Sequence, residues 1–441
     1  MTKRELVKRA KDAGVRLVRL QFSDIHGVTK NVAIPIGELD AALEGKVAFD
    51  GSCIEGFVRF EELDMNLAPD PETFALLPTL PGAPLEARLL CDVHNPDGTP
   101  FEGCTRSTLR RVLEEIKKEG YTPRASAELE FFLFERAPEG RQATATSDRG
   151  SYFDLSPIDR GDLARCDMAL ALEEMGVRVE ATHHEVSHGQ HEIDLGFSDA
   201  LTLADAIATA RVVVKTVAAR HNLHATFMPK PLVNQDGSGL HFAQFLIRDD
   251  ANAFFDRDNR GPAGLSETGL SYVGGLLEHA RGFTLVTNPT VNSYKRLVPG
   301  YDAPSYIQWS QRAKSALIRV PENATGEVIV ELRSPDPSCN PYLALACVLK
   351  AGIDGVRRKL VPGDPVESIA SQLSDDERTN LGIGQLPVSL QEAVYALGED
   401  PVVRAALGDH SYHRLREAKL AEWETYRTQV HPWELDAYLS L

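Results

Sequence analysis

Two glutamates stand two residues apart inside a run of large apolar side chains. The run Arg124–Phe134 reads Arg-Ala-Ser-Ala-Glu-Leu-Glu-Phe-Phe-Leu-Phe, with carboxylates at Glu128 and Glu130. Side chains of a β-strand alternate between the two faces of a sheet, so both carboxylates point to the same side. Two ionised groups are costly next to each other in an apolar place unless a positive charge lies between them. A half-exposed strand would explain one such pair, but more acids follow along the chain.

A second acidic segment lies further along the chain, at His184–Asp194. It contains Glu185 and Glu192, which an uninterrupted strand would place on opposite faces because their spacing is odd. Gly189 stands between them, and a glycine permits the bend that would bring both carboxylates to one place.

Two shorter segments add a histidine and an acid–base pair. Residues 237–241 read Gly-Ser-Gly-Leu-His, which puts His241 directly after a flexible turn. In Val330–Asp336, Glu331 and Arg333 are two apart and share a strand face. Taken alone, a single histidine or a single Glu–Arg pair is more often structural than catalytic.

Together these segments supply five glutamates and one histidine that could converge. A set rich in carboxylates with one imidazole suits hard divalent ions such as Mg²⁺ or Mn²⁺ better than zinc. Two such ions side by side typically serve phosphoryl transfer, because they bind phosphate oxygens and spread the developing charge. Arg296, Arg319 and Arg333 could then bind carboxylate or phosphate oxygens in a bidentate manner.

The bulk composition favours a soluble enzyme. The chain has 441 residues, is 43% hydrophobic and carries a formal net charge of −17, which argues against a nucleic-acid-binding surface. No apolar run approaches the roughly 20 residues of a membrane span, and the basic start lacks the apolar region of a signal peptide. The six cysteines are scattered without metal-binding spacing. We expect a cytoplasmic protein with reduced thiols.

The order of helical and strand patterns predicts an α+β fold. A hairpin is expected at residues 15–34, with its turn at 24–27, and a helix at 36–45. A domain boundary near residue 104 divides the chain into domains at 1–104 and 105–441, with a helix capped by Thr105 or Ser107. Apolar spacing predicts further helices at 159–175, 200–221, 263–282, 340–357 and 387–396. There is no Gly-rich dinucleotide or phosphate loop.

Seven ordered blocks identify a family. The chain resembles type I glutamine synthetases, in particular their Gram-positive branch, over essentially its whole length. The matching blocks lie at residues 49–57, 128–134, 184–192, 226–231, 237–241, 288–301 and 333–343, and the segment 427–433 resembles the same branch.

The resemblance implies both the architecture and the reaction. It implies a small β-grasp-like N-terminal domain and a large catalytic domain whose curved antiparallel sheet forms a funnel-shaped active site. It implies a dodecamer of two hexameric rings with active sites between subunits, and it leaves room for a regulatory protein partner. The implied reaction uses ATP to convert glutamate into γ-glutamyl phosphate, from which ammonia displaces phosphate to give glutamine. Two or more Mg²⁺ or Mn²⁺ ions per active site are implied.

The resemblance also implies roles for individual residues. One metal would be held by Glu130, Glu185 and Glu192, and the other by Glu128, His241 and Glu331. Glutamate would be bound by Arg296, Arg333, Gly237 and Asp236. The nucleotide would lie against Phe197 and Lys314, with Arg319 on the transferring phosphoryl group. Asp50 of a neighbouring subunit would accept the proton of ammonium, Asp302 would act from the flap over the site, and Arg59 would serve feedback inhibition by glutamine.

Several positions depart from the family pattern around the nucleotide and the flap. The flap normally ends Gly-Tyr-Glu-Ala-Pro, whereas here Asp302 is one methylene shorter than that glutamate. A shift near 1 Å in an active site can cost on the order of a hundredfold in rate. The other departures are Asp236, Ala243, Phe245, Ala313, Lys314 and Ile329.

These departures leave two alternatives beside a glutamate–ammonia ligase. One is a γ-glutamyl ligase for another amine, such as a polyamine or alkylamine. The other is a weakly active or non-catalytic paralogue with a regulatory role. The complete carboxylate set favours the ammonia ligase, because burying so many acids without metal would be costly.

Overall fold

Two β-sheets and a set of surrounding helices organise the chain. The computed structural model describes residues 1–53, 64–79, 82–137, 145–256, 258, 261–321 and 328–441. The strands of the described residues are β1 Leu17–Ser23, β2 Thr29–Pro35, β3 Val47–Asp50, β4 Asp64–Pro69, β5 Ala75–Leu76, β6 Glu86–His94, β7 Thr122–Glu135, β8 Val179–His184, β9 Gln190–Asp199, β10 Leu223–Thr226, β11 Leu240–Arg248, β12 Ala251–Asn252, β13 Tyr306–Ile307, β14 Trp309–Ser310, β15 Ile318–Arg319, β16 Val330–Leu332 and β17 Gly384–Gln385. The α-helices are α1 Lys3–Asp12, α2 Leu39–Ala42, α3 Thr105–Lys118, α4 Asp162–Glu174, α5 Ala200–Arg220, α6 Glu267–Glu278, α7 Ala280–Thr287, α8 Ser293–Arg296, α9 Pro341–Arg358, α10 Asp375–Asn380, α11 Leu390–Glu399, α12 Pro401–Leu407, α13 Asp409–Arg427 and α14 Pro432–Tyr438.

The N-terminal sheet has the strand order β2-β1-β6-β4-β3, with β5 on β6. Strands β1 and β2 form the expected antiparallel hairpin, whereas β1 and β6 run parallel. The hairpin turn contains Gly27 with a φ of 78°, and a Cβ there would lie 2.7 Å from the Cα of Asn340. Glycine is therefore required both by the backbone angle and by the close approach to the start of α9.

The larger sheet carries the candidate site. Its nine strands follow the order β14-β15-β16-β11-β7-β9-β8, with β10 on β7 and β12 on β11. All its pairings are antiparallel except that of β14 with β15. The long strand β7 lies between β9 and β11. Most of its side chains are buried on both faces of the sheet. The α+β class is confirmed.

The helices predicted at 200–221 and 340–357 match α5 and α9 to within one residue at each end, whereas those predicted at 159–175 and 387–396 are α4 and α11, which begin only at Asp162 and Leu390. Two further predictions differ more. The predicted helix at 263–282 is wrong in its bounds, because Ser266 caps a helix that begins only at Glu267 and the helical run is divided at His279 into α6 and α7. The predicted helix at 36–45 is a 3₁₀ turn, Ile36–Glu38, followed by the single turn of α2. The prediction that Thr105 or Ser107 caps the next helix is wrong, because Thr105 is the first residue of α3 and the N-cap is Cys104, whose side chain makes no capping hydrogen bond.

Buried apolar side chains fall into two groups. The smaller group runs from Leu6 to Cys104 and fills the space between α1 and the N-terminal sheet. The larger group surrounds β7, α5 and α9. On this basis we propose the domain boundary between residues 104 and 105. The structure describes the side chains of five of the six cysteines, and all five are free thiols, with Cys166 exposed. No helix in the described part of the chain has the length and hydropathy to cross a membrane.

The ring of His279 lies between two carboxylates at the junction of α6 and α7. Its Nδ1 is 2.8 Å from an oxygen of Asp400, and its Nε2 is 3.0 Å from an oxygen of Asp354. Asp354 also pairs with Arg358 at 3.1 Å. Burial alone would lower the pKa of His279, but the bonds to the two carboxylates raise it. The ring therefore ties the α6–α7 junction to α9 and to the residue that caps α12.

We expect His279→Gln to lower the free energy of unfolding more at about pH 6 than at about pH 9. A histidine whose pKa is raised in the folded state adds stability below its unfolded pKa of about 6.5, and that stability is lost as the pH rises through the folded pKa. The expected loss at the lower pH is about 1.5–3 kcal/mol, the range for a hydrogen bond to a charged group. Urea unfolding at both pH values measures it. Equal losses at the two values would contradict a protonated His279.

Candidate active site

Strand pairing gathers the acidic side chains on one side of the larger sheet. In β7, Glu128 lies opposite His241 of β11 and Asp194 of β9, and Glu130 lies opposite Glu192. Two groups result, in each of which the candidate ligand atoms all lie within 4.8 Å of one another. We call them site A, formed by His183, Glu185 and Glu192, and site B, formed by Glu128, His241 and Glu331.

Site B joins three strands. His241 Nδ1 is 2.7 Å from an oxygen of Glu128 and 3.8 Å from an oxygen of Glu331. Glu331 comes from β16, which pairs with β11, and it is only 4% exposed. Site B therefore contains the three residues that the sequence predicted for one metal.

Site A lies on a hairpin. Strands β8 and β9 pair so that His183 faces Glu192, and Glu185 follows directly after β8. His183 Nε2 is 2.7 Å from an oxygen of Glu185 and 3.9 Å from an oxygen of Glu192. Gly189 has a φ of 65° in the connecting turn, so the expected bend is the turn of a hairpin.

Glu130 lies between the two sites, and the structure does not place it within the site A group. One of its oxygens accepts hydrogen bonds from Gly239 N at 2.9 Å and Gln190 Nε2 at 2.8 Å. The other lies 3.8 Å from His241 Nε2. His183 lies in the site A group, and the assignment of Glu130 to the same metal as Glu185 and Glu192, which the family resemblance implied, stays a prediction. The spacing His183-x-Glu185 was the available signal, because residues two apart share a strand face.

The charges of these groups fit divalent cations. Burial and the neighbouring acids Glu130 and Glu128 raise the pKa of Glu192 well above its usual value. Burial likewise raises the pKa of Glu130. Burial alone would raise the pKa of Glu128 too, but its bond to His241 lowers it to about 2. Acids crowded in a buried place are stabilised when a cation lies among them, and carboxylate oxygens with an imidazole are donors that hard divalent ions accept.

Arginines border site B on the side of β15 and β16. Arg333 pairs with Glu331 through its Nη1, and Arg319 Nη1 lies 3.5 Å from the other oxygen of Glu331. Arg333 is 7% exposed, and its Nη2 is 3.9 Å from Asp302. Arg319 is the more exposed of the two at its side chain, so its guanidinium reaches the open space beside the sheet.

Arg296 is buried and holds the backbone that follows β16. It is 1% exposed, and its guanidinium donates to the backbone carbonyls of Ser334 at 2.7 Å, Arg333 at 3.2 Å and Pro335 at 3.2 Å. A Cβ at Gly239 would lie 2.7 Å from Arg296 Nη2, so glycine leaves room for the guanidinium. In this structure Arg296 fixes the segment that carries Arg333.

Asp302, which the resemblance assigns to the flap, lies beside Arg333 and is held there by its backbone. Its N–H donates to the Asp236 carboxylate at 3.0 Å. Lys230 Nζ lies 3.6 Å from the ring centre of the adjacent Tyr301, a cation–π contact. Gly237 follows Asp236, and a Cβ there would lie 2.2 Å from the carbonyl oxygen of Pro229. Asp236 and Gly237 therefore fix the backbone at Asp302 and at Pro229, respectively.

The residues expected near the nucleotide form apolar and cationic contacts. The rings of Phe197 and Phe245 have their centres 5.3 Å apart, and Phe245 is one of the departures from the family pattern. Lys314 Nζ lies 5.9 Å from the ring centre of Tyr152. Asp50 ends β3 in the other, N-terminal sheet. The prediction for Arg59 lies outside the described residues.

Comparison with known proteins gives the same family for both domains. A model of the glutamine synthetase catalytic domain matches residues 102–438, and a model of the glutamine synthetase beta-grasp domain matches residues 14–96. The chain is 50% identical over 439 residues to a glutamine synthetase of Clostridium saccharobutylicum, covering 100% of this chain and 99% of that protein. It is 52% identical over 443 residues to one of Thermus thermophilus, with the same coverage.

Solved structures agree over the whole chain. A complex of GmaS with ADP superposes with a TM-score of 0.88 at 31% identity and covers 99% of both chains. A cryo-EM structure of Plasmodium falciparum glutamine synthetase gives a TM-score of 0.87 at 26% identity, also over 99% of both chains. The β-grasp N-terminal domain and the large catalytic domain are thus confirmed, and the chain belongs to the glutamine synthetase family.

Proposed function

We propose that this chain is a glutamate–ammonia ligase that forms glutamine at the expense of ATP. The observation that carries the proposal is the pair of acidic sites A and B side by side on one sheet, with two arginines at the edge of site B. The relatives from Clostridium and Thermus, which share about half of their residues with this chain over its full length, are glutamine synthetases.

The proposed metal ligands are the members of the two sites. Divalent ions, Mg²⁺ or Mn²⁺, would be held by His183, Glu185 and Glu192 in site A and by Glu128, His241 and Glu331 in site B. When bound, such ions neutralise the phosphate oxygens of ATP and stabilise the charge that develops during phosphoryl transfer. Glu130 stands between the sites with one oxygen directed at His241, and it is available to either ion.

The remaining side chains would bind and orient the substrates. Phosphoryl transfer joins the γ-phosphorus of ATP to a γ-carboxylate oxygen of glutamate and breaks the bond between that phosphorus and the oxygen of the β-phosphate, so that ADP leaves. Arg319 would pair with the transferring group. Arg333, which pairs with Glu331 and whose carbonyl accepts a hydrogen bond from Arg296, would bind a glutamate carboxylate. The rings of Phe197 and Phe245 would offer an apolar surface for the nucleotide base. Lys314 would also contact the nucleotide.

The second step requires free ammonia. Ammonium must lose a proton before its nitrogen attacks the carbonyl carbon of γ-glutamyl phosphate, from which phosphate leaves. We assign the proton acceptor to Asp50 of a neighbouring copy, with Asp302 covering the intermediate. This assignment makes the active enzyme a homo-oligomer, proposed to be a dodecamer in the cytoplasm. Exposed apolar side chains near site A offer surface for such contacts, among them Tyr152, Phe153, Leu155 and Ile158.

We expect purified protein to release phosphate from ATP only when glutamate and ammonium are both present. The assay should include Mg²⁺ or Mn²⁺ and a panel of methylamine, putrescine and ethanolamine in place of ammonium. An Asp302→Asn variant with the same panel shows whether the flap carboxylate favours a cationic acceptor. Phosphate release with one of the other amines but not with ammonium would contradict the proposal and favour a γ-glutamyl ligase of different specificity. If no amine in the panel, ammonium included, supports phosphate release, the non-catalytic alternative is favoured.

A further inference from the structure

Behind site A lies a second group of charged side chains that the proposed reaction does not use. Each member is at most 5% exposed, and we call this group the buried polar cluster: Asp148, Asp159, Arg165, His184 and His191. His184 pairs across the β8–β9 hairpin with His191, whereas His183 pairs with Glu192. Because side chains alternate along a strand, one face of the hairpin carries site A and the other carries the cluster.

The cluster has the spacing of a metal site but already contains a cation. Candidate ligand atoms of Asp148, Asp159, His184 and His191 lie within 4.8 Å of one another. Arg165 Nη1 donates to Asp159 at 2.6 Å and contacts His191 Nδ1 at 2.8 Å. A guanidinium keeps its charge at any ordinary pH and repels a second cation at this distance. Arg165 therefore occupies the role that a metal ion would have.

Hydrogen bonds connect the cluster to the backbone of site A. One oxygen of Asp148 accepts from Gly189 N at 3.1 Å in the hairpin turn and lies 2.9 Å from His184 Nε2. His184 Nδ1 lies 2.6 Å from the carbonyl oxygen of Glu185. Asp148 thus fixes the turn directly and fixes the backbone of Glu185 through a histidine ring.

Two glycines keep the histidine rings in place. A Cβ at Gly150 would lie 2.7 Å from His184 Nε2, and a Cβ at Gly161 would lie 2.6 Å from His191 Nε2. Gly150 N also donates to Asp148 at 3.1 Å. The rings fill the space that these glycines leave, so neither imidazole can rotate without displacing backbone.

We propose that Asp148 and His184 are positioning residues that hold Glu185 and Glu192 in the geometry of site A, with Arg165 as the fixed cation of the cluster. This inference rests on the proposed role of site A in binding metal. Groups that orient metal ligands typically change metal affinity by about ten- to a hundredfold. The effect is confined to site A, because the ligands of site B come from β7, β11 and β16.

The test measures Mn²⁺ binding by the full-length protein, with free Mn²⁺ detected by electron paramagnetic resonance. Asp148→Asn and His184→Gln are expected to weaken one of two sites by about ten- to a hundredfold and to leave the other unchanged. Asp400→Asn is the matched control, because it removes a carboxylate from another buried aspartate–histidine bond, 2.8 Å long, away from both sites. It should lower thermal stability and leave both Mn²⁺ affinities unchanged.

Three results would overturn the proposal in different ways. Wild-type Mn²⁺ affinities in both variants, with a loss of thermal stability like that of Asp400→Asn, would show that the cluster is only structural. A third Mn²⁺ that is lost in Asp159→Asn and kept in Glu185→Gln would show that the cluster itself binds metal. Absence of Mn²⁺ binding by the unsubstituted protein would refute the proposed metal sites as well, and it would be seen before any substitution is made.

Discussion

Replacing Glu331 with glutamine is expected to lower kcat/KM for glutamine formation by about a thousandfold, or about 4 kcal/mol in transition-state free energy. The substitution removes a charged ligand atom from site B while keeping the size of the side chain. It also takes the negative partner away from Arg333 and Arg319, both of which face Glu331. Both the proposed metal and the arginines that the proposal assigns to substrate would lose their present positions.

Steady-state phosphate release with glutamate and ammonium measures this effect, together with a count of bound Mn²⁺. Glu115→Gln is the control, because it makes the same chemical change in a different ion pair, the one that Glu115 of α3 forms with Lys350 of α9. We expect its kcat/KM to equal that of the unsubstituted protein. A Glu331→Gln variant that stays within about tenfold of that value would refute the role of site B in the reaction.

Replacing Arg106 with methionine is expected to lower the free energy of unfolding by about 3–5 kcal/mol, as when one partner of a buried ion pair is removed. Arg106 is 5% exposed and joins the two domains. Its guanidinium donates to Asp205 of α5 at 2.9 and 2.8 Å, to Asp70 at 2.9 Å and to Asp92 at 3.3 Å. Without it, these acids would remain in a half-buried place without their central positive charge.

The unfolding midpoint in urea and the melting temperature measure this loss at one protein concentration, because assembly also affects both. Arg357→Met is the matched control. Arg357 forms an ion pair with Glu119, but its side chain is 40% exposed, and exposed pairs contribute about 0–1 kcal/mol. If the two variants lose the same stability, Arg106 does not hold the domains together.

Local rules predicted the elements of the site better than its internal contacts. Alternation along β7 correctly predicted that Glu128 and Glu130 face one side, and the Glu331–Arg333 spacing predicted their contact. The same rules could not show that Glu130 bonds Gly239 and Gln190 while His183 joins site A. Those contacts depend on the register between strands that are distant in sequence, which a single sequence does not specify.

Three other features of the structure could not be predicted from the sequence, because they too depend on contacts between distant segments. The division between α6 and α7 coincides with His279, whose two carboxylate partners come from α9 and α12. The burial of Arg296 against three carbonyls depends on the segment after β16. The buried polar cluster joins the segment before α4, α4 itself and the β8–β9 hairpin. Each of these is a tertiary contact that overrides or completes a local preference.

The placement of Arg296 also bears on the order in which the molecule folds. Its guanidinium reaches its three partners only after the segment following β16 has come to lie beside α8. Site B likewise needs β16 next to β11, and these strands are separated by the helices α6 to α8. Contacts of high sequence separation form late because loop closure must come first. Divalent ions would therefore stabilise the finished sheet rather than guide the early collapse of the chain.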